Sequence, residues 1–195
     1  MLLTKKKSFS VEEATIKREV KGEDGACLVR INIRYPDIVC GKKDPLSIFA
    51  RDFYKNVAEA FCKYAETELY KRAKTVYESD KDGFLPFSAV MKYEITALDE
   101  RLFSVYTDMA VSDGRNESSV ERKTQVWERD FGTKCKAQYF MPKKVWYEKL
   151  SEILEKDELK RIDPELFVMR DGALEFFLRE NGKYRSVSIP LQKNG

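Results

Sequence analysis

The chain contains no histidine. That removes the commonest general base, and with it the Ser-His-Asp triad, the Cys-His pair and the histidine-rich zinc site. The four cysteines are Cys27, Cys40, Cys62 and Cys135, and none forms a Cys-x-x-Cys pair. Neither a zinc ribbon nor a thioredoxin-type motif is therefore supported. Cys27 and Cys62 lie in apolar stretches and read as small core residues. Cys40 and Cys135 lie in loop-like segments with no base beside them. Glu94 and Asp108 fall on neighbouring predicted strands and could divide acid and base work, but a usable acid needs burial and neither is on an apolar face. Glu78-x-Asp80-x-Asp82-Gly83 has the opening of a calcium loop, yet Ala89 stands where such a loop needs its bidentate glutamate. Asn116-Glu117-Ser118 matches a glycosylation sequon, inert in a chain that is not exported. No catalytic residue, metal or cofactor is expected.

Binding chemistry is better represented. Tyr106 shares the polar side of a predicted strand with Ser104 and Asp108. An aromatic on a polar face can stack on a sugar ring or anchor a partner protein. Trp127 and Arg129 supply a second aromatic–basic combination, although Trp127 could equally pack beneath a helix. Arg115 and Asn116 lie in the polar loop Ser112–Ser119, the kind of segment on which function concentrates. Tyr106, Arg115, Asn116, Trp127 and Arg129 are the candidate ligand-binding residues.

The elements that position them can be read from periodicity. Residues 8–20 alternate weakly and are highly charged, as an edge strand is. A turn at Gly22–Gly25 leads to a half-buried strand over 26–35, ended by Pro36. Asp44-Pro45 starts a long amphipathic helix, with Asp44 as N-cap. Its apolar positions include Phe49, Phe53, Val57, Ala60, Phe61, Tyr64, Leu69, Ala73 and Val76, and it runs to about Glu78. Strands follow over 87–97, 102–111 and 120–131, joined as an antiparallel meander. Pro142 opens a shorter helix with Val145, Trp146, Leu150, Ile153 and Leu154 as its stripe. Asp171-Gly172 and Asn181-Gly182 then mark type I′ hairpins between Leu166 and Ile189. The fold class is α+β: an antiparallel meander with the long helix packed on it, the shorter helix and C-terminal hairpins. One domain over 1–195 is the economical division, with halves 8–85 and 86–195 as the alternative.

Composition bounds the partners. Thirty-six basic against 33 acidic residues leave a net charge of +3 over 195 residues. A nucleic-acid module usually carries a basic stripe, and only Lys5-Lys6-Lys7 forms a run, so no nucleic acid is expected. A 43% hydrophobic and 12% aromatic content supports a packed core. The start of the chain lacks the apolar region of a signal peptide and no window is apolar enough to span a bilayer, so a cytoplasmic location is expected.

Three stretches together resemble a known family. The first is Ile31-Asn32-Ile33-Arg34-Tyr35-Pro36, then Gly41 and the long helix. The second is Trp127-Glu128-Arg129-Asp130-Phe131-Gly132-Thr133, then Val145–Leu154. The third runs from Asp163-Pro164 through Asp171-Gly172 to Ile189-Pro190. Their order and spacing are similar to a bacterial domain of unknown function. It is shared by the RsiV-like lysozyme-sensing anti-sigma factor and, as an accessory domain, by PdaC-like peptidoglycan deacetylases. The resemblance covers most of residues 26–191 and implies an α+β fold with a binding role rather than catalysis. Relatives are usually exported behind an anchor, and they often carry Gly-Gly-x-His in the loop that corresponds to Ser112–Glu117. Here that loop has Asp113-Gly114 and no histidine.

The leading expectation is thus a non-catalytic binding module for a protein or a glycan. A hydrolase or transferase using carboxylate, Lys or Cys chemistry is the alternative, and requires a deep pocket with buried acids or a low-pKa thiol. A homodimeric assembly protein, joined through the sheet edge or the second helix, is the other.

Overall fold

A computed structural model describes residues 10–39, 41, 44–116 and 119–191. Lys5-Lys6-Lys7, Cys40 and the Glu117-Ser118 part of the sequon lie outside the described residues. The chain divides into two compact units. One comprises Met1–Tyr93 with Asp108–Glu121, the other Glu94–Thr107 with Arg122–Gly195.

The first unit opens with β1 (Ser10–Lys21) and β2 (Cys27–Val39), paired antiparallel with Ile16 opposite Ile33 and Thr15 opposite Arg34. Expectation and structure differ at Pro36, which does not end the strand. β3 (Phe87–Leu98) pairs with β2 only over Val29–Ile33, so beyond Ile33 one side of β2 is unpaired and a proline is tolerated. The β2–β3 pairing is parallel, because the intervening chain is a helical crossover. That crossover is α1 (Pro45–Tyr64), a π-helical turn (Ala65–Leu69) and α2 (Tyr70–Ser79). Asp44 caps it as expected, its carboxylate accepting the Leu46 N–H at 3.1 Å.

The buried seam of this helix is Leu46, Ala50, Tyr54, Ala58, Cys62, Ala65, Leu69 and Ala73. Phe49, Tyr64 and Val76, expected on the apolar stripe, are exposed instead. The small residues Ala50, Ala58, Cys62, Ala65 and Ala73 on this seam let the helix lie close to the sheet. The π turn then widens one turn so that Ala65 and Leu69 both remain on the buried side. They pack with Leu28, Val29, Ile31, Ile33, Phe87, Ala89, Met91 and Met109.

β4 spans Leu102–Ser112, β5 Ser119–Glu128 and β6 Thr133–Lys134, and hydrogen-bonded strands follow the order β1-β2-β3-β4-β5-β6 in this sheet. The other sheet holds β7 (Phe167–Arg170), β8 (Ala173–Glu180) and β9 (Lys183–Pro190), in that order. In the second unit, α3 (Ala137–Phe140), α4 (Lys143–Ser151) and α5 (Lys156–Leu159) lead to β7. Asp171 and Asn181 take φ of 49° and 48°, followed by Gly172 and Gly182 at 74° and 78°. These are the left-handed pairs that a type I′ turn requires.

Trp146, Leu150, Leu154, Phe167, Phe176 and Ile189 form the core of this unit, with the Trp146 and Phe176 ring centroids 5.1 Å apart. Two buried hydroxyls seat the edge strand β7: Ser104 Oγ accepts the Met169 N–H at 2.9 Å, and Thr124 Oγ1 accepts the Phe167 N–H at 3.0 Å. Each satisfies an edge donor that would otherwise be orphaned on burial. No helix among the described residues is long and apolar enough to cross a membrane.

Candidate functional site

β5 does not continue to Phe131 as its apolar pattern suggests. The Glu128 carboxylate accepts the N–H groups of Asp130 at 3.1 Å and Phe131 at 2.9 Å, which closes a turn at the strand end. Gly132, at φ 66°, completes the reversal, and Thr133 and Lys134 pair back on Glu128 and Trp127. Phe131 is therefore carried to the tip of a hairpin, where it is 73% exposed.

That tip borders a cleft of about 750 Å³ built wholly from the second unit. Phe131, Tyr139, Phe140 and Val145 supply its apolar surface, and Asp99, Arg101, Asp130 and Lys149 its charges. Tyr139 is 61% exposed, whereas Phe140 is anchored edge-on against Phe167. The β3–β4 turn forms another wall. Asp99 Oδ1 accepts the N–H groups of Arg101 and Leu102 at 2.7 and 2.8 Å. The Arg129 guanidinium donates to the Asp99 carbonyl, and the Arg129 N–H to the Arg101 carbonyl at 2.9 Å. Arg129, half-buried, thus helps to position this wall. Among the described residues, the side-chain charges of Arg101, Asp130 and Lys149 have no ion-pair partner. The cleft therefore offers exposed rings next to uncommitted charges of both signs, the mixture suited to an amphipathic ligand.

Tyr106 lies elsewhere in the same unit, within a cation–aromatic stack. The Arg122 guanidinium is 3.9 Å from the Tyr106 ring centroid, 4.5 Å from Phe177 and 5.0 Å from Tyr184. The Tyr106 hydroxyl donates to Glu94 at 2.5 Å. Arg170 then bridges Glu94 at 2.7 Å and the buried Glu175 at 2.6 Å. The Tyr106 hydrogen bond holds the Glu94 carboxyl below its ordinary range; partial burial opposes this and Arg170 reinforces it. Burial works against the Arg170 cation, but its bonds to Glu175 and Glu94 outweigh this and raise its pKa. Glu94 is thus tied to a tyrosine and an arginine rather than poised as an acid.

The other candidates separate. Trp127 is only 7% exposed, so its ring faces are not offered to a ligand as an exposed sheet aromatic would offer them. Arg115 and Asn116 lie in the first unit. Arg115 bonds Asp80 at 2.9 Å and the Gly83 carbonyl at 2.6 Å, tying its loop to the turn after α2. Asp113 accepts the Asn116 N–H at 2.9 Å, the Asn116 side-chain amide at 2.6 Å and the Arg115 N–H at 3.1 Å. Those bonds hold the Asp113 carboxyl below its ordinary range. Asp80, read as part of a calcium-like loop, is occupied by Arg115 and by the Gly83 N–H at 3.0 Å. The structure thus brings none of Tyr106, Arg115, Asn116 and Trp127 to the cleft, and Arg129 only through the wall it holds.

Both buried thiols described are driven away from reactivity. Burial pushes the Cys62 thiol up, reinforced by Glu66, and burial followed by the Glu128 charge does the same for Cys135.

Neither a family model nor a curated protein matches the chain. Two crystal structures share its fold. One is a member of the DUF3298 family from Bacteroides fragilis NCTC 9343, at 12% identity and a TM-score of 0.57, covering 95% of this chain and 90% of that one. The other is a DUF3298 family protein from Pseudomonas aeruginosa PAO1, at 13% identity and a TM-score of 0.52, covering 94% and 89%. At these identities the likeness establishes the α+β architecture.

Proposed function

We propose that the chain is a non-catalytic binding module of the DUF3298 type, akin to the domain of RsiV-like and PdaC-like envelope proteins. Its ligand, a glycan or a segment of a partner protein, seats in the cleft beside Phe131. The observation that carries this reading is the 73% exposure of Phe131 at the border of a cleft with uncommitted charges. Phe131 and the 61% exposed Tyr139 border the same cleft, an apolar surface rimmed by charged groups as ligand grooves are. Arg101, Asp130 and Lys149 would bond the polar edges of a ligand whose apolar face stacks on Phe131 and Tyr139. The shared fold supports the family assignment, and the raised thiol pKa values favour binding over thiol chemistry.

The test is a screen of soluble peptidoglycan fragments by calorimetry, beside affinity capture from lysate, each run with the chain and with Phe131→Ala. Retention of a defined glycan that the variant loses supports a glycan ligand. Capture of one protein that the variant loses supports a protein ligand. Binding indifferent to Phe131→Ala, or none of either kind, overturns the proposal.

A further inference from the structure

β1 is the terminal strand of its sheet, and among the described residues nothing pairs with its outer edge. Its twelve residues extend about 40 Å. An edge of that length invites pairing with another chain unless charge forbids it. The charges of β1 nearest its centre are ordered: Glu12 and Glu13 precede Thr15, Lys17 and Arg18 follow it, and Glu19 and Lys21 lie beyond them.

We propose that β1 pairs antiparallel with β1 of a second copy of this chain, across a two-fold axis at Thr15. A two-fold axis perpendicular to a sheet keeps each strand's faces on their own side, so only pairings that match faces are allowed. With the axis at Thr15, Glu13 stands opposite Lys17 of the copy, and Glu12 opposite Arg18. Symmetry repeats both pairs. Thr15 meets Thr15, a favourable cross-strand pair, and the half-buried Ala14 meets Ile16 on the helix-covered face. Adjacent face-matched registers lose this. With the axis at Ala14, Glu12 faces Ile16 and Glu13 faces Thr15. With the axis at Ile16, Glu13 faces Glu19, a like-charge opposition. The charge order that guards the edge against unrelated strands therefore selects one register of self-pairing.

Three of the four side chains involved are available. Glu12 and Lys17 have no ion-pair partner among the described residues, and Glu13 reaches Arg34 only at 3.9 Å. Arg18 already holds Glu66 at 2.5 Å, which fixes its stem against the helix while Glu12 of the copy approaches.

The test is sedimentation velocity on the full chain over a wide concentration range, with Glu13→Lys, Lys17→Glu and their equimolar mixture. Both residues are exposed, so circular dichroism should be unchanged. The chain is expected to form a reversible dimer, and each swap alone to weaken it tenfold or more through like charges. The mixture should regain the dimer, because Lys meets Glu at both positions. A chain monomeric at every concentration, a dimer indifferent to both swaps, or a mixture that stays monomeric overturns the proposal. Should a swap fail to fold, Thr15→Cys decides. Oxidation should join the two introduced thiols, which the axis places opposite each other. Absence of that crosslink in a folded variant overturns the register.

Discussion

Arg122 lays its guanidinium 3.9 Å from the centre of the Tyr106 ring, and its own backbone N–H donates to the Tyr184 hydroxyl at 3.0 Å. One residue of β5 thus binds β4 through its side chain and β9 through both side chain and backbone. A planar cation serves this better than an ammonium, because it stacks on several rings at once.

Arg122→Ala should lower the stability of the second unit by about 2 kcal/mol, the scale of a partly desolvated cation–aromatic contact. Arg122→Lys should fall between, retaining charge but losing the stack. Urea denaturation followed by tryptophan fluorescence reads both through the midpoint. A change in Arg122→Ala too small to resolve would show the stack to be incidental.

Glu94 gives the second unit an acid-sensitive component. Its folded carboxyl lies below the ordinary glutamate value of about 4.3, so its contribution is fully present above that pH. The contribution is lost as pH falls from there toward the folded value. Tyr106→Phe removes the main cause of the shift and leaves Arg170. The stability gap between the chain and Tyr106→Phe should be constant above about pH 5 and shrink as pH falls below the ordinary value. Denaturation midpoints between neutral and acid pH test this; a gap that widens on acidification would reverse the assignment.

Local grammar was legible and long-range partnership was not. Asp44-Pro45, Asp171-Gly172 and Asn181-Gly182 announce a helix start and two turns because the physics lies within adjacent residues. The long helix was legible as amphipathic, and Leu69 and Ala73 of its stripe are buried, but the large side chains Phe49 and Val76 misdirect the rest, since the face against the sheet takes Ala50 and Ala58 instead. Tyr106 was noticeable as an aromatic among polar neighbours. Its partners Arg122, Phe177 and Tyr184 come from β5, β8 and β9, and no spacing links them. Phe131 continued the apolar pattern of its strand. Only the Glu128 side chain, bonding forward to two backbone donors, ends the strand early and turns that ring outward.

Phe131→Ala should abolish binding at the cleft while shifting stability by no more than about 0.5 kcal/mol, as expected for an exposed site. Glu128→Ala should weaken binding less and cost stability, because it loosens the turn that presents the ring without removing the ring. Calorimetric titration with the retained ligand and parallel thermal melts distinguish the two. If Phe131→Ala destabilises as a core truncation does, the ring is structural and the cleft is not the site.

Gly114 is the position in the first unit where a methyl group is least tolerable. Its φ is 82°, and a Cβ built there would lie 2.7 Å from the Leu85 Cβ and 2.9 Å from the Leu85 carbonyl oxygen. The second contact is with backbone, which cannot rotate away. Gly25 provides the control, with φ of 84° and nothing within 4 Å of a Cβ. Gly25→Ala should therefore cost only the left-handed strain of about 1–2 kcal/mol. Gly114→Ala should cost that plus the clash, and should separate the Ser112–Asn116 loop from the Leu85 segment. The Arg115 bonds to Asp80 and the Gly83 carbonyl would then be strained or lost. Relief of that bond lets the Asp80 carboxyl rise back toward its ordinary value, because the Arg115 hydrogen bond is the main cause of its depression. Carboxyl carbon shifts followed by pH titration should therefore move for Asp80 in Gly114→Ala and stay in place in Gly25→Ala. Equal stability losses in the two variants, with Asp80 unmoved in both, would mean that the loop accommodates the methyl group without leaving Leu85.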